Sequence, residues 1–473
     1  MKTTIIKIII FRLIFLSMPV SGQTFIPFTN NPVVDTLNTL NSSEYWTRWK
    51  TDPCVIHWNN DSLRMYYGTN NYGVKTQIGT AVSPDGNNWI EKRDAPVVSL
   101  GPTGSWDDTD VETPFVVYVP SNPDSTKYML WYSGATKDTN LLDTICGVGF
   151  QNEIYQMGMA YSNDGLNWTK YNNTTNDSLP LYAESDPVIS IPYVSGCQPS
   201  VIGYESFAIA EPCVIYDSIV QKYKMWYIGV GCSNPTCSGP NDYRHRILYS
   251  ESTNGINWIT GIPVLDIGGI SDFDSKVVYA PDVVKIGNEY WMFYSGENTG
   301  FPVMGAFTLW HQRIGIAKSN DGIFFVKGTL NPIIPNGTFG SWNEFGSNFS
   351  SAIVYHDTLR VYYSGVNDTI FGFLPKIGYS FMDSVLSNIT SHVDNNYELA
   401  VYPNPTTGKI FIDSKGIIIS IEIYNALGKK IFATTNLKKQ LSNEINLFNS
   451  PKGIYLVRIY DGEKIYTEKI MVQ

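Results

Sequence analysis

Histidine, cysteine and basic clusters are what this 473-residue chain has least of: five His, six Cys, and a net charge of -10 from 43 Asp and Glu against 33 Lys and Arg. The acidic balance argues against nucleic acid and anionic membranes as partners, because both need a concentrated positive patch. No His or Cys spacing has the form of a zinc site or of a Cys/His nucleophile pair. Past residue 22 no run is apolar enough to span a bilayer, so no transmembrane segment is expected. Residues 1–22 place Lys2, Lys7 and Arg12 around an apolar stretch and end in Val20-Ser21-Gly22, the form of a secretory signal peptide, with the mature chain expected to begin near Gln23. Export permits disulfides, within the turn between Cys232 and Cys237 and between Cys146 and Cys197. Cys54 and Cys213 each follow a Pro at equivalent strand positions and read as buried free thiols.

Aromatic residues are plentiful, with 31 Tyr, 22 Phe and 12 Trp, and they recur in order. The text IGTAVSPDGNNW at 78–89 returns with changes at 157–168, 247–258 and 314–325, and in short form at 377–381. Upstream of each copy lies an aromatic run (64–68, 128–134, 223–229, 290–296, 360–365), and upstream of that an apolar run beginning near 53, 114, 212, 281 and 352. Alternating aromatic and β-branched residues broken by Asp-Gly or Asn-Gly are strand and hairpin signals. With Trp89, Trp168 and Trp258 opening a fourth strand, four strands repeated five times predict an all-β, five-bladed β-propeller over 45–385. The fifth copy lacks its outer strand. Residues 45–50 (YWTRWK) are expected to supply it and close the ring, leaving 23–44 as an N-terminal segment.

A linker at 386–398 leads to residues 399–473, which have no Cys or Trp and four short strand signals, reading as a small β-sandwich. The motifs YPNPTTG (402–408), IEIYNALGK (421–429), GIYLV (453–457) and the ending at 469–472 resemble the C-terminal sorting domain, type A, of the type IX secretion system of Bacteroidetes. That resemblance implies a partnership with the secretion machinery and delivery outside the outer membrane, either to the cell surface or free.

In a propeller the innermost strands line a central funnel, and chemistry is expected at their starts. Aligned by Pro, those starts read Asp52-Pro53, Thr113-Pro114, Glu211-Pro212, Ala280-Pro281 and Ser351-Ala352, with Asp110 and Glu112 crowding the second and Asp282 just beyond the fourth. Acids before Pro at inner-strand starts, on five repeats, resemble the clan of arabinanases, β-xylosidases, levansucrases and invertases (glycoside hydrolase families 43, 32, 62 and 68, and more loosely 130). The resemblance implies action on a polysaccharide or oligosaccharide by paired carboxyl groups, one ionised and one protonated. Carried over, Asp52 matches the base or nucleophile and Glu211 the general acid. Glu112 or Asp110 stands in for the third acid, and Asp282 reads as substrate-contacting or structural. A non-catalytic carbohydrate-binding or adhesive propeller is the alternative, with Asp52 as a turn residue. Trp106, Trp310 and Trp342 are candidate sugar-stacking platforms or blade packing, and Arg246 and Arg313 candidate funnel residues. No cofactor is required by this reading; calcium is left open because it needs only oxygen ligands.

Overall fold

The computed structural model describes residues 24–35, 49–70, 75–92, 95–137, 153–175, 180–191, 204–205, 208–232, 243–298, 300–303, 307–367, 375–382, 399–402, 406, 408–414, 418–425, 429–435, 442–448, 450–460 and 465–472. The chain divides into two compact units, 1–385 and 386–473. No described helix is long and apolar enough to cross a membrane.

The first unit is a β-propeller built of antiparallel sheets. Sheet one runs Thr51–His57, Leu63–Thr69, Gln77–Ser83, Ile90–Lys92. Sheet two runs Asp110–Tyr118, Tyr128–Thr136, Ile154–Ser162, Thr169–Lys170. Sheet three runs Ala208–Asp217, Lys222–Cys232, Tyr243–Ser252, Ile262–Leu265. Sheet four runs Val277–Ile286, Glu289–Glu297, Arg313–Ser319, Val326–Lys327. Sheet five runs Gly346–Tyr355, Thr358–Val366 and Lys376–Met382. The first strands of sheets one to five touch in that order, and the fifth touches the first, which puts all of them at the axis.

Aromatic repetition has a packing reason. Tyr66, Trp131, Trp226 and Tyr362 are buried mid-strand, and each donates to the carbonyl of a hairpin glycine one sheet on: Gly165, Gly255, Gly322 and Gly86, at 2.8–2.9 Å. Each hairpin is shaped from within. In the first, Ser83 accepts the Gly86 N–H and Asp85 accepts those of Asn87 and Asn88, and the glycine takes a φ of 75° that L-residues avoid. The Ser-x-Asp-Gly text is thus a docking device between sheets.

Closure differs from the sequence expectation. The outer strand of sheet five is Ile26–Pro27, paired with Phe381 and Ser380, and Val34 bridges Ile377. Residues 45–48 lie outside the described residues, while Lys50 leads into sheet one, its N–H on Pro375 and its ammonium 2.6 Å from Glu91. The physical cause is a motif shared by every sheet. A Pro followed by two aliphatic residues folds back onto the third strand at Val98–Ile78, Ile189–Met157, Leu265–Ile247 and Ile334–Ile314, and Asn31-Pro32-Val33-Val34 is its fifth copy.

The second unit pairs Leu399–Tyr402, Lys409–Ser414 and Ser442–Asn446 in one sheet. Lys430–Thr435, Ser420–Asn425, Gly453–Tyr460 and Ile465–Val472 form the other. Alternate residues of both, Ile410, Ile412, Ile421, Ile423, Val457 and Ile459 among them, bury the core of a small sandwich.

Candidate active site

Each innermost strand carries a bulge, and at each bulge one non-glycine residue adopts positive φ: Asp52, Thr113, Glu211, Ala280 and Phe349, at 47–59°. That conformation costs an L-residue about 1–2 kcal/mol, so the surroundings must hold it. The fifth member is Phe349, not Ser351. Ser351 instead accepts the Val55 N–H, as Cys54 accepts that of Val116 and Cys213 that of Val283. The bulged backbone turns an N–H toward the preceding sheet. Three of the five are capped by serines, Ser364 for Asp52, Ser133 for Glu211 and Ser295 for Phe349. Cross-strand register places Gly68 and Ile228 where those serines stand in the other sheets. There carboxylates take over: Asp52 accepts from the Thr113 N–H, and Glu211 from the Ala280 N–H at 2.5 Å. Gly68 leaves room for this, because a Cβ on it would lie 3.0 Å from Asp52 Oδ2 and press the carboxylate aside.

Asp52 and Glu211 therefore occupy one register position in sheets one and three, with Glu112 between them at the start of the sheet-two bulge. Burial pushes the Asp52 carboxyl up to about 7 against the pull of Thr51 and Thr113. Burial, then the charges of Asp52 and Glu297, raise Glu211 to about 8 despite the Ala280 N–H. Glu112 takes no hydrogen bond from the described residues, and burial followed by repulsion from Asp52, Asp110, Glu211 and Glu153 holds it well above the usual carboxylate range. Asp110 accepts the Thr76 N–H at 2.7 Å and is raised by burial to about 6. The expected acids meet at Glu112, which feels Asp52, Asp110 and Glu211 in that order, and Glu211 in turn feels Asp52.

The other expected contacts are placed elsewhere. Asp282 belongs to the Cys54, Cys213 and Ser351 register, accepting the Ala352 N–H at 2.6 Å as a stitch between sheets. Trp106 is fully buried over Gly134 and Gly158, its indole N–H on Ser185, and the half-buried Trp342 lies likewise over Gly365 and Gly378. Phe273 does the same over Gly296 and Gly315, so a recurring aromatic before Asp or Asn is packing, not a sugar platform. The Trp310 side chain lies outside the described residues, as do Cys146, Cys197 and Cys237. Cys54 and Cys213 are buried free thiols. Arg246 bonds Asp266 and stacks on Tyr204, while Arg313 bonds Asn298 beside Phe273. Strand alternation sends their neighbours His245 and Gln312 to the opposite face. Gln312 there bonds Glu297 and Asn348. Sequence reasoning passed over Gln312, Glu297, Tyr279 and Glu153; the one signal for Glu297 is an acid after the strand-two glycine, where other sheets have Ala135, Val230 and Val366. Among the described residues no three His, Cys, Asp or Glu side chains are set to hold a metal ion.

Residues 400–473 match the family model described as the secretion system C-terminal sorting domain. The second unit is a sorting domain. It marks the chain for type IX secretion to the cell surface or the extracellular space. No curated protein matches the chain. Solved structures match the propeller. A glycosyl hydrolase from Bacteroides ovatus is 15% identical, with 76% of this chain and 94% of that one covered and a TM-score of 0.52. A β-1,2-mannobiose phosphorylase from Listeria innocua, in complex with β-1,2-mannobiose, is 14% identical over 78% and 99%, with a TM-score of 0.52. A chain titled simply glycoside hydrolase is 15% identical over 76% and 90%, at 0.51. At these identities the likeness is one of fold.

Proposed function

We propose that the propeller is a glycoside hydrolase acting outside the cell on a polysaccharide or oligosaccharide, with Glu211 as general acid and Asp52 as base or nucleophile. The observation that carries this is the pair itself: two carboxyl groups at one strained register of non-adjacent sheets, both lifted into the neutral range, with Glu211 held above Asp52. Near pH 7.5 such a pair is poised with Asp52 largely ionised and Glu211 largely protonated, the division of labour that glycosidic cleavage needs. Glu211 gives its proton to the leaving oxygen as the bond to the anomeric carbon breaks. Asp52 either attacks that carbon or draws the proton from an attacking water. Glu112, between them, is kept protonated by burial and by the charges of Asp52, Asp110 and Glu211 and is the third acid in this reading, ahead of Asp110. A carbohydrate-binding propeller is the competing reading, supported by the backbone N–H that each carboxylate caps.

The test is hydrolysis of a panel of plant, algal and fungal glycans by the chain from Gln23 onward, beside Asp52→Asn and Glu211→Gln. Product from the parent, with at least ~10³-fold loss in either variant, supports the enzyme. Retention of a glycan in affinity gels without any product moves the protein to the binding reading.

A further inference from the structure

Behind Glu211, where sheets four and five meet, lies a polar group of side chains that the acid and base roles leave unexplained. Glu297 is 8% exposed at a register where three other sheets place Ala135, Val230 and Val366. An acid buried at an apolar position needs partners or a task. Gln312 donates to Glu297 Oε1 at 3.2 Å, and Asn348 donates to Gln312 Oε1 at 2.7 Å. The buried Tyr279 hydroxyl lies within reach of both Glu297 and Asn348. Tyr279 is cross-strand from Ser295, on the face that Glu297 shares two residues along. It also directly precedes Ala280, whose N–H grips Glu211 Oε2 at 2.5 Å.

We propose that Glu297 is a positioning residue for Glu211: held by Gln312, which Asn348 holds in turn, it fixes the Tyr279–Ala280 segment that grips the acid and sets a second carboxyl behind it. This rests on the role given to Glu211 above. Burial raises Glu297 as well, Gln312 and Tyr279 opposing it, and ionisation of either carboxyl favours the protonated form of the other, since two carboxylates in one low-dielectric pocket resist ionising together.

The experiment needs no substrate. Carboxyl groups of the folded chain are labelled with a carbodiimide and glycine ethyl ester across pH 5–9, and the peptide carrying Glu211 is quantified by mass spectrometry, because only the protonated carboxyl is activated. Glu297→Gln, which keeps the shape and the Gln312 contact, is expected to move the pH of half-maximal Glu211 labelling down relative to the parent. Glu289→Gln, at the other end of the same strand, is expected to leave it unchanged. Where Glu297→Gln does not fold, Gln312→Ala, which frees Glu297 to turn away, is expected to give the same downward shift. An unmoved midpoint in a folded variant overturns the proposal. A moved midpoint alongside an inactive glycan panel leaves the positioning intact and removes the hydrolase reading; turnover with an unmoved midpoint does the reverse.

Discussion

Asp282 stands where sheets one and three have Cys54 and Cys213 and sheet five has Ser351, and all four side chains accept a backbone N–H from the next sheet. A thiol or hydroxyl does this without charge, whereas burial lifts the Asp282 carboxyl to about 7. The folded state therefore keeps a proton that the unfolded chain releases near pH 4, and stability attributable to this group is full below pH 4 and lost as pH rises toward 7. Asp282→Cys is expected to be close to the parent at pH 4 and more stable by about 2–4 kcal/mol at pH 8, read from urea midpoints at the two values. Gly68 offers a second test at this scale. A methyl at 68 would meet Asp52 Oδ2 at 3.0 Å, so Gly68→Ala is expected to cost about 1 kcal/mol of stability. It is also expected to cost about 10-fold to 100-fold in turnover, because a displacement of ~1 Å suffices for that. Trp106→Ala is expected to behave in the opposite way, losing about 3–5 kcal/mol in a denaturant titration because the indole fills the space over Gly134 and Gly158.

At the scale of elements, text that recurs in every sheet was legible and text that recurs with gaps was not. The hairpin copies and aromatic strands revealed the propeller because hydrogen-bonded hairpins and buried mid-strand rings tolerate little change. The Pro-aliphatic-aliphatic return was present five times and was still passed over, because in the closing sheet it lies at the opposite end of the chain from its strands. YWTRWK at 45–50 was the louder signal, being aromatic, but Lys50 is buried against Glu91 at the entry to sheet one. Likewise, aligning inner strands on Pro fails in sheet five, where Ser350 replaces it and the bulge falls at Phe349. Asp52 and Glu211 were readable from their shared register. Glu297 was not, since an isolated acid in an apolar strand acquires meaning only beside Tyr279 and Gln312. Closure by residues 26–34 predicts that a chain starting at Asp35 loses the outer edge of sheet five. It is expected to melt at least several degrees below the parent in calorimetry, whereas a chain ending at residue 385 is expected to keep the propeller transition.

For the whole molecule, function and stability pull on the same protons. Activity is expected to rise as pH passes about 7, when Asp52 ionises, and to fall as pH passes about 8, when Glu211 loses its proton, giving a narrow bell in kcat/KM. Stability runs against the first limb. Asp52, Glu211 and Asp282 all bind protons more tightly folded than unfolded, so their contributions decline between pH 4 and 8. The surface hairpins act in the other direction: Asp85 and Asp164 are held near 2 by their backbone donors, though burial opposes this, so their contribution is present above pH 4 and is lost only as pH falls toward 2. The two sets together place maximal stability near pH 4–5, below the pH of maximal turnover. Asp52→Asn combined with Glu211→Gln removes two of these tightly held protons while keeping acceptors for the Thr113 and Ala280 N–H groups. Its melting temperature is therefore expected to fall less steeply than the parent's from pH 5 to 8, Asp282 still titrating, and to exceed the parent's at pH 8, with no activity at any pH. A parent whose melting temperature rises over that range would show that the funnel carboxyl groups are ionised and solvated in the folded chain, and the assignment of acid and base would fall with it.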